Sequence, residues 1–204
     1  SLSLAVMASV PLALVSGLTL TLLNGQFLEE LVATFNQALA RLEEDLQQEG
    51  SGQLAFNSLA VPQVAALLAT GNAVIALLSL MLGRYWQAAL YNPGGFGGEF
   101  RALRLPTGAV VAMALAAGAL WWMGPGWRVW SAAAVLPLTI AGFALVHAYA
   151  ARANKGVAWL TLMYVLWIVL DPVKWVWVGC VVVDAFADFR ARWANPTGKG
   201  SGGA

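Results

Sequence analysis

Three apolar segments of this chain are each more than twenty residues long and hold no Asp, Glu, Lys or Arg: Leu2–Leu23, Leu59–Leu82 and Trp130–Ala150. A helix of about 20 apolar residues crosses the hydrocarbon core of a bilayer. A chain of 204 residues cannot hide three such runs in one aqueous core. The chain is 60% hydrophobic and 10% charged, against about 45–50% and about 25% in soluble domains, so lipid is the expected solvent.

Three further apolar segments follow the same logic with less length: Thr107–Met123, Val157–Leu170 and Val173–Phe186. Together the six predict an all-α, polytopic transmembrane bundle of about six spans. The expected organisation is one helical domain over 1–193, a cytoplasmic loop at 84–106, and a flexible tail at 194–204. The chain begins at Ser1 with no basic n-region before its first apolar run. It therefore does not read as a signal peptide, and further sequence is expected upstream.

Basic residues set the expected threading. If the first run leads outward, the outer connections hold Arg41, Arg128 and Lys174. The inner ones hold Arg84, Arg101, Arg104, Arg152, Lys155, Arg190, Arg192 and Lys199. Positive charge collects on the cytoplasmic side of membrane proteins, so both ends are expected there. Tryptophans favour the headgroup level. Trp121, Trp122, Trp127, Trp130, Trp167, Trp175 and Trp177 fall near the outer ends, and Trp86, Trp159 and Trp193 near the inner ones.

Between the first two spans, 26–49 repeats Leu28, Leu31, Phe35, Leu39, Leu42 and Leu46 at helical spacing. Its charges are mostly acidic, whereas surface-lying membrane helices usually carry Lys and Arg. It is expected to pack on the bundle or on a partner; a free interfacial helix is the alternative. Gly50-Ser51-Gly52 is expected to end it flexibly.

The loop "LYNPGGFGGEFRALRLP", Leu90–Pro106, is rich in glycine but lacks the Gly-Lys-Ser/Thr ending of a phosphate loop. Asn92-Pro93-Gly94-Gly95 signals a turn. Phe96, Phe100, Leu103 and Leu105 predict a short amphipathic helix, with Arg101 and Arg104 toward lipid headgroups. An anchored loop and a docking site for a cytoplasmic partner both fit.

Polar residues within the apolar runs are few. Asn72, midway along the second, is either interhelical glue or part of a substrate site. His147, the single histidine, is a second candidate substrate contact. Asp184 and Asp188 stand one turn apart near the end of the last run, followed by Arg190 and Arg192. They predict a solvated, salt-bridged helix end, with an Asp188–Arg192 pair at i,i+4, or else an inward-facing docking site. Cys180, the only cysteine, is expected to be buried as a small apolar residue. One cysteine and one histidine offer no metal site, and no nucleophile–base set stands out, so neither a cofactor nor catalysis is expected. A net charge of +1 gives no reason to expect nucleic acid among its partners.

The stretches "ALYNPGGFGGEFRALRLP", "LVHAYAAR" and "DAFADFRARW" resemble the YybS-like family of bacterial predicted membrane proteins, over most of Leu59–Trp193. The resemblance implies a longer chain with further N-terminal helices. It also implies an analogy to the substrate-binding S components of energy-coupling-factor transporters: a helical membrane core that binds a small molecule and docks on a membrane coupling subunit.

Overall fold

In a computed structural model the described residues, 1–48 and 56–194, form nine helices and no strand. They are α1 (Leu2–Leu23), α2 (Gly25–Gln48), α3 (Val61–Tyr91), α4 (Gly95–Arg101), α5 (Thr107–Trp122), α6 (Pro125–Arg152), α7 (Val157–Val169), α8 (Asp171–Ala187) and α9 (Phe189–Ala194). Gly50–Gly52 and the tail from 195 onward lie outside the described residues.

α1, α3 and α6, of 22, 31 and 28 residues, are long and apolar enough to cross a membrane, the pattern of a multi-pass membrane protein. The expectation of about six spans is not met. α5 has 16 residues, about 24 Å at 1.5 Å per residue, against a core of about 30 Å. α7 and α8 are bent by 114° at their junction and together count as at most one broken span, giving up to four. Asp171 does not cap α8; it lies in the first turn, with Leu170 as N-cap, and pairs with Lys174 at 2.6 Å.

α6 is the hub. It packs against α1, α3, α5 and α8 along its length, and α4 and α7 touch it. Small side chains make this possible. α1 presents Ser9, Ala13 and Gly17 inward, α3 presents Ala65, Ala66, Ala69 and Ala73, and α6 presents Ala133, Ala134, Ala141 and Ala144. Between lipid-immersed helices apolar burial gives little net drive, so close backbone approach and dispersion hold the seam. At Gly17 the approach is tightest: a Cβ there would collide with the Trp130 ring and sit 3.3 Å from Ala69 Cβ. Trp130 thus packs into the bundle, as does Trp177, 7% exposed.

Outward faces are apolar too. Leu22, Ile75, Leu115 and Ile168 are all exposed, the pattern of helices whose outer solvent is hydrocarbon. Cys180 belongs to this surface and is exposed, not buried as expected.

The two ends of the bundle differ. At one, Gln63 donates to the Pro125 carbonyl, Leu28 packs with Val64 and Ala65, and Trp121 meets Trp175 edge-on at 5.5 Å. α2 leaves from this end. Asn36 holds it to the start of α3 by a two-way bond to Leu59, donating to its carbonyl at 3.0 Å and accepting from its N–H at 2.8 Å. Leu28 is the only fully buried residue of α2. At the other end lie the C-termini of α3, α6 and α8 and the 92–106 connection. α3 runs nine residues past the expected exit at Leu82, to Tyr91, so the loop is shorter than expected and contains α4.

Candidate functional site

The densest polar assembly lies at this second end, where α4 and the 102–106 strap meet the α8–α9 corner. Its local cause is a helix break. Asp188 adopts φ 47°, the left-handed region that Asp tolerates better than most residues, and so stops α8 and turns the chain into α9. The turn swings Arg190 back over Asp184. Asp184 Oδ2 accepts from Arg190 Nε at 3.2 Å and Nη2 at 2.8 Å, and Asp184 Oδ1 accepts from the Phe189 N–H at 3.1 Å. Arg190 Nη1 donates to the Leu103 carbonyl at 2.7 Å and the Arg101 carbonyl at 3.0 Å. One guanidinium therefore ties α8, α9 and the C-terminal end of α4 together. The Asp184 and Arg190 side chains are 7% and 11% exposed.

Two weaker ties complete the latch. Arg104 pairs with Asp188, and both are about half exposed. Thr107 donates its hydroxyl to the Ala185 carbonyl at 2.9 Å, filling an acceptor freed near the end of α8. Leu103 and Leu105 are buried beneath, packed with Val110, Leu138 and Val181. A short helix is present, but α4 ends at Arg101, so Phe96 and Phe100 lie on it while Leu103 and Leu105 belong to the strap that follows.

Gly94, at φ 82°, allows the chain to leave α3 and enter α4 within three residues, and Asn92 caps α3 through its N–H to the Ala88 carbonyl. Phe96 lies between Tyr85 and Phe100, at 6.0 and 6.1 Å, and Phe100 meets the His147 ring at 5.3 Å. Arg84 bonds Glu99 at 2.7 Å across the α3–α4 angle. These side chains enclose an open groove of about 310 Å³ lined by Arg84, Gln87, Tyr91, Asn92, Phe96 and Glu99. Beside it Trp86, Leu90 and Tyr91 are strongly exposed.

The docking candidates Phe96, Arg101, Arg104, Asp184 and Asp188 are thus gathered at one end, with Asn92 at its edge. Two details differ from expectation. Asp184 is buried rather than solvated. Asp188 pairs with Arg104 of the strap, an ion pair that was not foreseen. The substrate candidates are not brought together. Asn72 donates to the Ser16 hydroxyl at 3.1 Å on an exposed face of α1 and α3, which is the interhelical-glue outcome. His147 donates Nδ1–H to the Phe143 carbonyl at 2.8 Å, leaving Nε2 as acceptor 3.4 Å from the Tyr164 hydroxyl. It is a satisfied residue in an aromatic ladder with Phe143, Tyr164, Trp167 and Trp177.

The parts played by Arg190 and Thr107 were not foreseen. The available signal was weak: two arginines just past an apolar run, read as solvated. Among the described residues no three His, Cys, Asp or Glu side chains converge as a metal site would require. Comparison with protein-family models, curated proteins and solved structures returned no match.

Proposed function

We propose that this chain is a transport-associated, small-molecule-binding subunit of a bacterial inner membrane, without catalytic chemistry of its own, which docks partners through its basic end. The latch carries this reading. A buried ion pair, two arginine–carbonyl bonds and a threonine hydroxyl immobilise a connection that a simple loop would leave mobile. Rigid presentation lowers the entropy lost on association. The groove over Asn92, flanked by exposed Trp86, Leu90 and Tyr91, is the face so presented.

Charge supports the sidedness. Arg84, Arg101, Arg104, Arg152, Lys155, Arg190 and Arg192 belong to this end, against Arg41, Arg128 and Lys174 toward the other, which favours a cytoplasmic basic end and C-terminus. The resemblance to the YybS-like family belongs to the same reading, since S components bind a small molecule and dock on a coupling subunit. It is a likeness of fold, and the site has to carry the function.

A second reading is an assembly subunit, with no ligand. It rests on α2, whose residues beyond Asn36 carry Glu43, Glu44 and Asp45 and bury none of their side chains fully. That is an acidic rod held only at its base.

Gentle extraction from native membrane separates the two. A stoichiometric small molecule together with an ATPase module supports transport, and a stable complex with neither supports assembly. A lone, ligand-free chain removes both. Tyr91→Ala with Leu90→Ala should preserve the fold and release the partner. Labels at the Asn92 turn and the C-terminal tail should react from the same side of the membrane.

A further inference from the structure

The apolar residues of α2 keep strict step. Leu28, Val32, Phe35, Leu39, Leu42 and Leu46 follow one another at alternating intervals of four and three residues. That is the a/d repeat of a coiled coil, carried through the helix without a slip. The stripe changes width along the way. At the base it is broad: Leu31 joins it, and Leu28, Leu31 and Val32 pack with Leu20, Val64, Ala65 and Trp130 of the bundle. Beyond Asn36 it narrows to Leu39, Leu42 and Leu46, and every other residue up to Gln48 is polar, charged or alanine. A broad stripe suits the face of a helix bundle, and a strict two-position seam suits one partner helix.

The narrow half leaves the bundle. The contacts of α2 pass from Val64 and Ala65, beside Leu28, to Leu59, beside Asn36, and Leu59 stands two residues before α3 begins. The 24-residue helix then continues from 37 to 48, about 18 Å at 1.5 Å per residue. None of these later residues is fully buried, and Phe35 and Leu42 are 45% and 46% exposed.

Charge identifies what fits the seam. Glu29, Glu30, Glu43, Glu44 and Asp45 stand against Arg41, so five carboxylates less one guanidinium leave −4 on the described helix. Among the described residues no ion pair engages any of them. Glu43 and Asp45 take the positions that flank the seam on either side, and Glu44 lies on the opposite face. A second copy would set −4 against −4, and an anionic lipid surface would repel the helix as well. The complement is a helix with Lys and Arg beside an apolar seam of its own. We propose that α2 beyond Asn36 is a docking arm that forms a coiled coil with one basic amphipathic helix of another polypeptide. The proposal rests on the assembly reading of this helix and names the chemistry of the partner.

The test uses the full chain in neutral detergent and a synthetic three-heptad helix with Leu at a and d and Lys beside them, its binding read by fluorescence anisotropy. The wild type should bind this helix, and more weakly as salt rises. Leu42→Gln removes a leucine from the seam and should weaken binding about tenfold or more. Glu43→Gln with Asp45→Asn should weaken it about tenfold, at about threefold for each exposed pair. Glu44→Gln, across the helix, should change it by less than about twofold. All four positions lie outside the buried core, so the melting temperature should hold. Equal binding of a helix with Glu in place of Lys overturns the basic partner. Equal binding of a Lys-bearing helix with Ser at a and d overturns the seam. A wild-type dimer that Leu42→Gln dissolves, seen by native mass spectrometry, assigns the arm to a second copy and overturns the proposal. A native complex recovered unchanged with folded Leu42→Gln also overturns the arm, and leaves an assembly subunit held elsewhere. A lone wild-type chain removes the assembly reading itself, whatever the synthetic helix does.

Discussion

The seam between α1, α3 and α6 and the latch between the α4–α5 strap and the α8–α9 corner are held by opposite means. The seam is built largely from small side chains, Ala with Ser9 and Gly17, and is closed by Trp130, with the Asn72–Ser16 side-chain hydrogen bond between α1 and α3. The latch concentrates two ion pairs and three side-chain-to-carbonyl bonds on one short strap. In hydrocarbon the seam gains little from apolar burial and relies on shape, whereas the latch relies on polar groups that lose their partners if separated. The difference predicts that the latch fails through single atoms and the seam through volume.

The largest expected effect is at the latch. Arg190→Met leaves Asp184 and two carbonyls without their donor, and breaking one side of a buried pair costs about 3–5 kcal/mol. Asp184→Asn should cost less, because the amide oxygen can still accept from Arg190. Thermal unfolding in detergent measures both. Equal, small losses would mean that the latch is ordinary solvated surface and that the contrast with the seam is false.

Next comes the seam. Gly17→Ala places a methyl into the Trp130 ring, and overpacking of this kind costs about 1–3 kcal/mol. Trp130→Leu should recover part of that loss by vacating the same volume, although alone it destabilises by opening a cavity. A double-mutant cycle reads the coupling. Additive losses would show that the two residues do not share a contact and that shape is not what holds α1 to α6.

The seam and the latch were unequally legible in the sequence. The bounds of α1, α2 and α5 follow from uncharged runs and from helical spacing, which are local signals, and they fall within a residue of the expected ones. The basic end was legible for the same reason, as Arg101, Arg104, Asp184 and Asp188 are rare charges at the edges of apolar runs. The span count was not, because the bend between α7 and α8 lies at one extended residue, Leu170, and Trp167 and Trp177 beside it meet Phe143 of a third helix, a contact no local pattern encodes. The continuation of α3 past the apolar run was not legible, because Arg84 reads as a boundary and its partner Glu99 stands fifteen residues further on. Burial of Asp184 depends on the chain reversal at Asp188, and no periodicity encodes a single left-handed residue.

Asp188 sharpens the comparison at smaller scale. Its backbone favours glycine by about 1 kcal/mol, whereas its half-exposed pair with Arg104 is worth about 0.2–1 kcal/mol. Asp188→Gly should therefore be close to neutral in stability. Asp188→Val loses the pair and adds a β-branched side chain at positive φ, so it should be clearly worse. If both variants lose the same stability, the ion pair dominates and the backbone conformation contributes nothing.

The smallest effect is expected at Asn72, the polar residue that most invited a functional reading. Its amide donates to Ser16 on an exposed face, and hydrogen bonds between membrane helices average about 0.6 kcal/mol. Asn72→Leu removes that bond and adds an apolar group facing hydrocarbon, two terms of opposite sign. The net change should be within about 0.6 kcal/mol, with partner retention unaltered. Asn72→Asp is the sharper variant, since a carboxylate near mid-bilayer costs about 2.5–3.5 kcal/mol and Ser16 can offset only part of it. Should Asn72→Leu instead abolish retention of a bound small molecule while leaving the melting temperature in place, the seam would contain a site as well as a contact, and shape alone would not describe it.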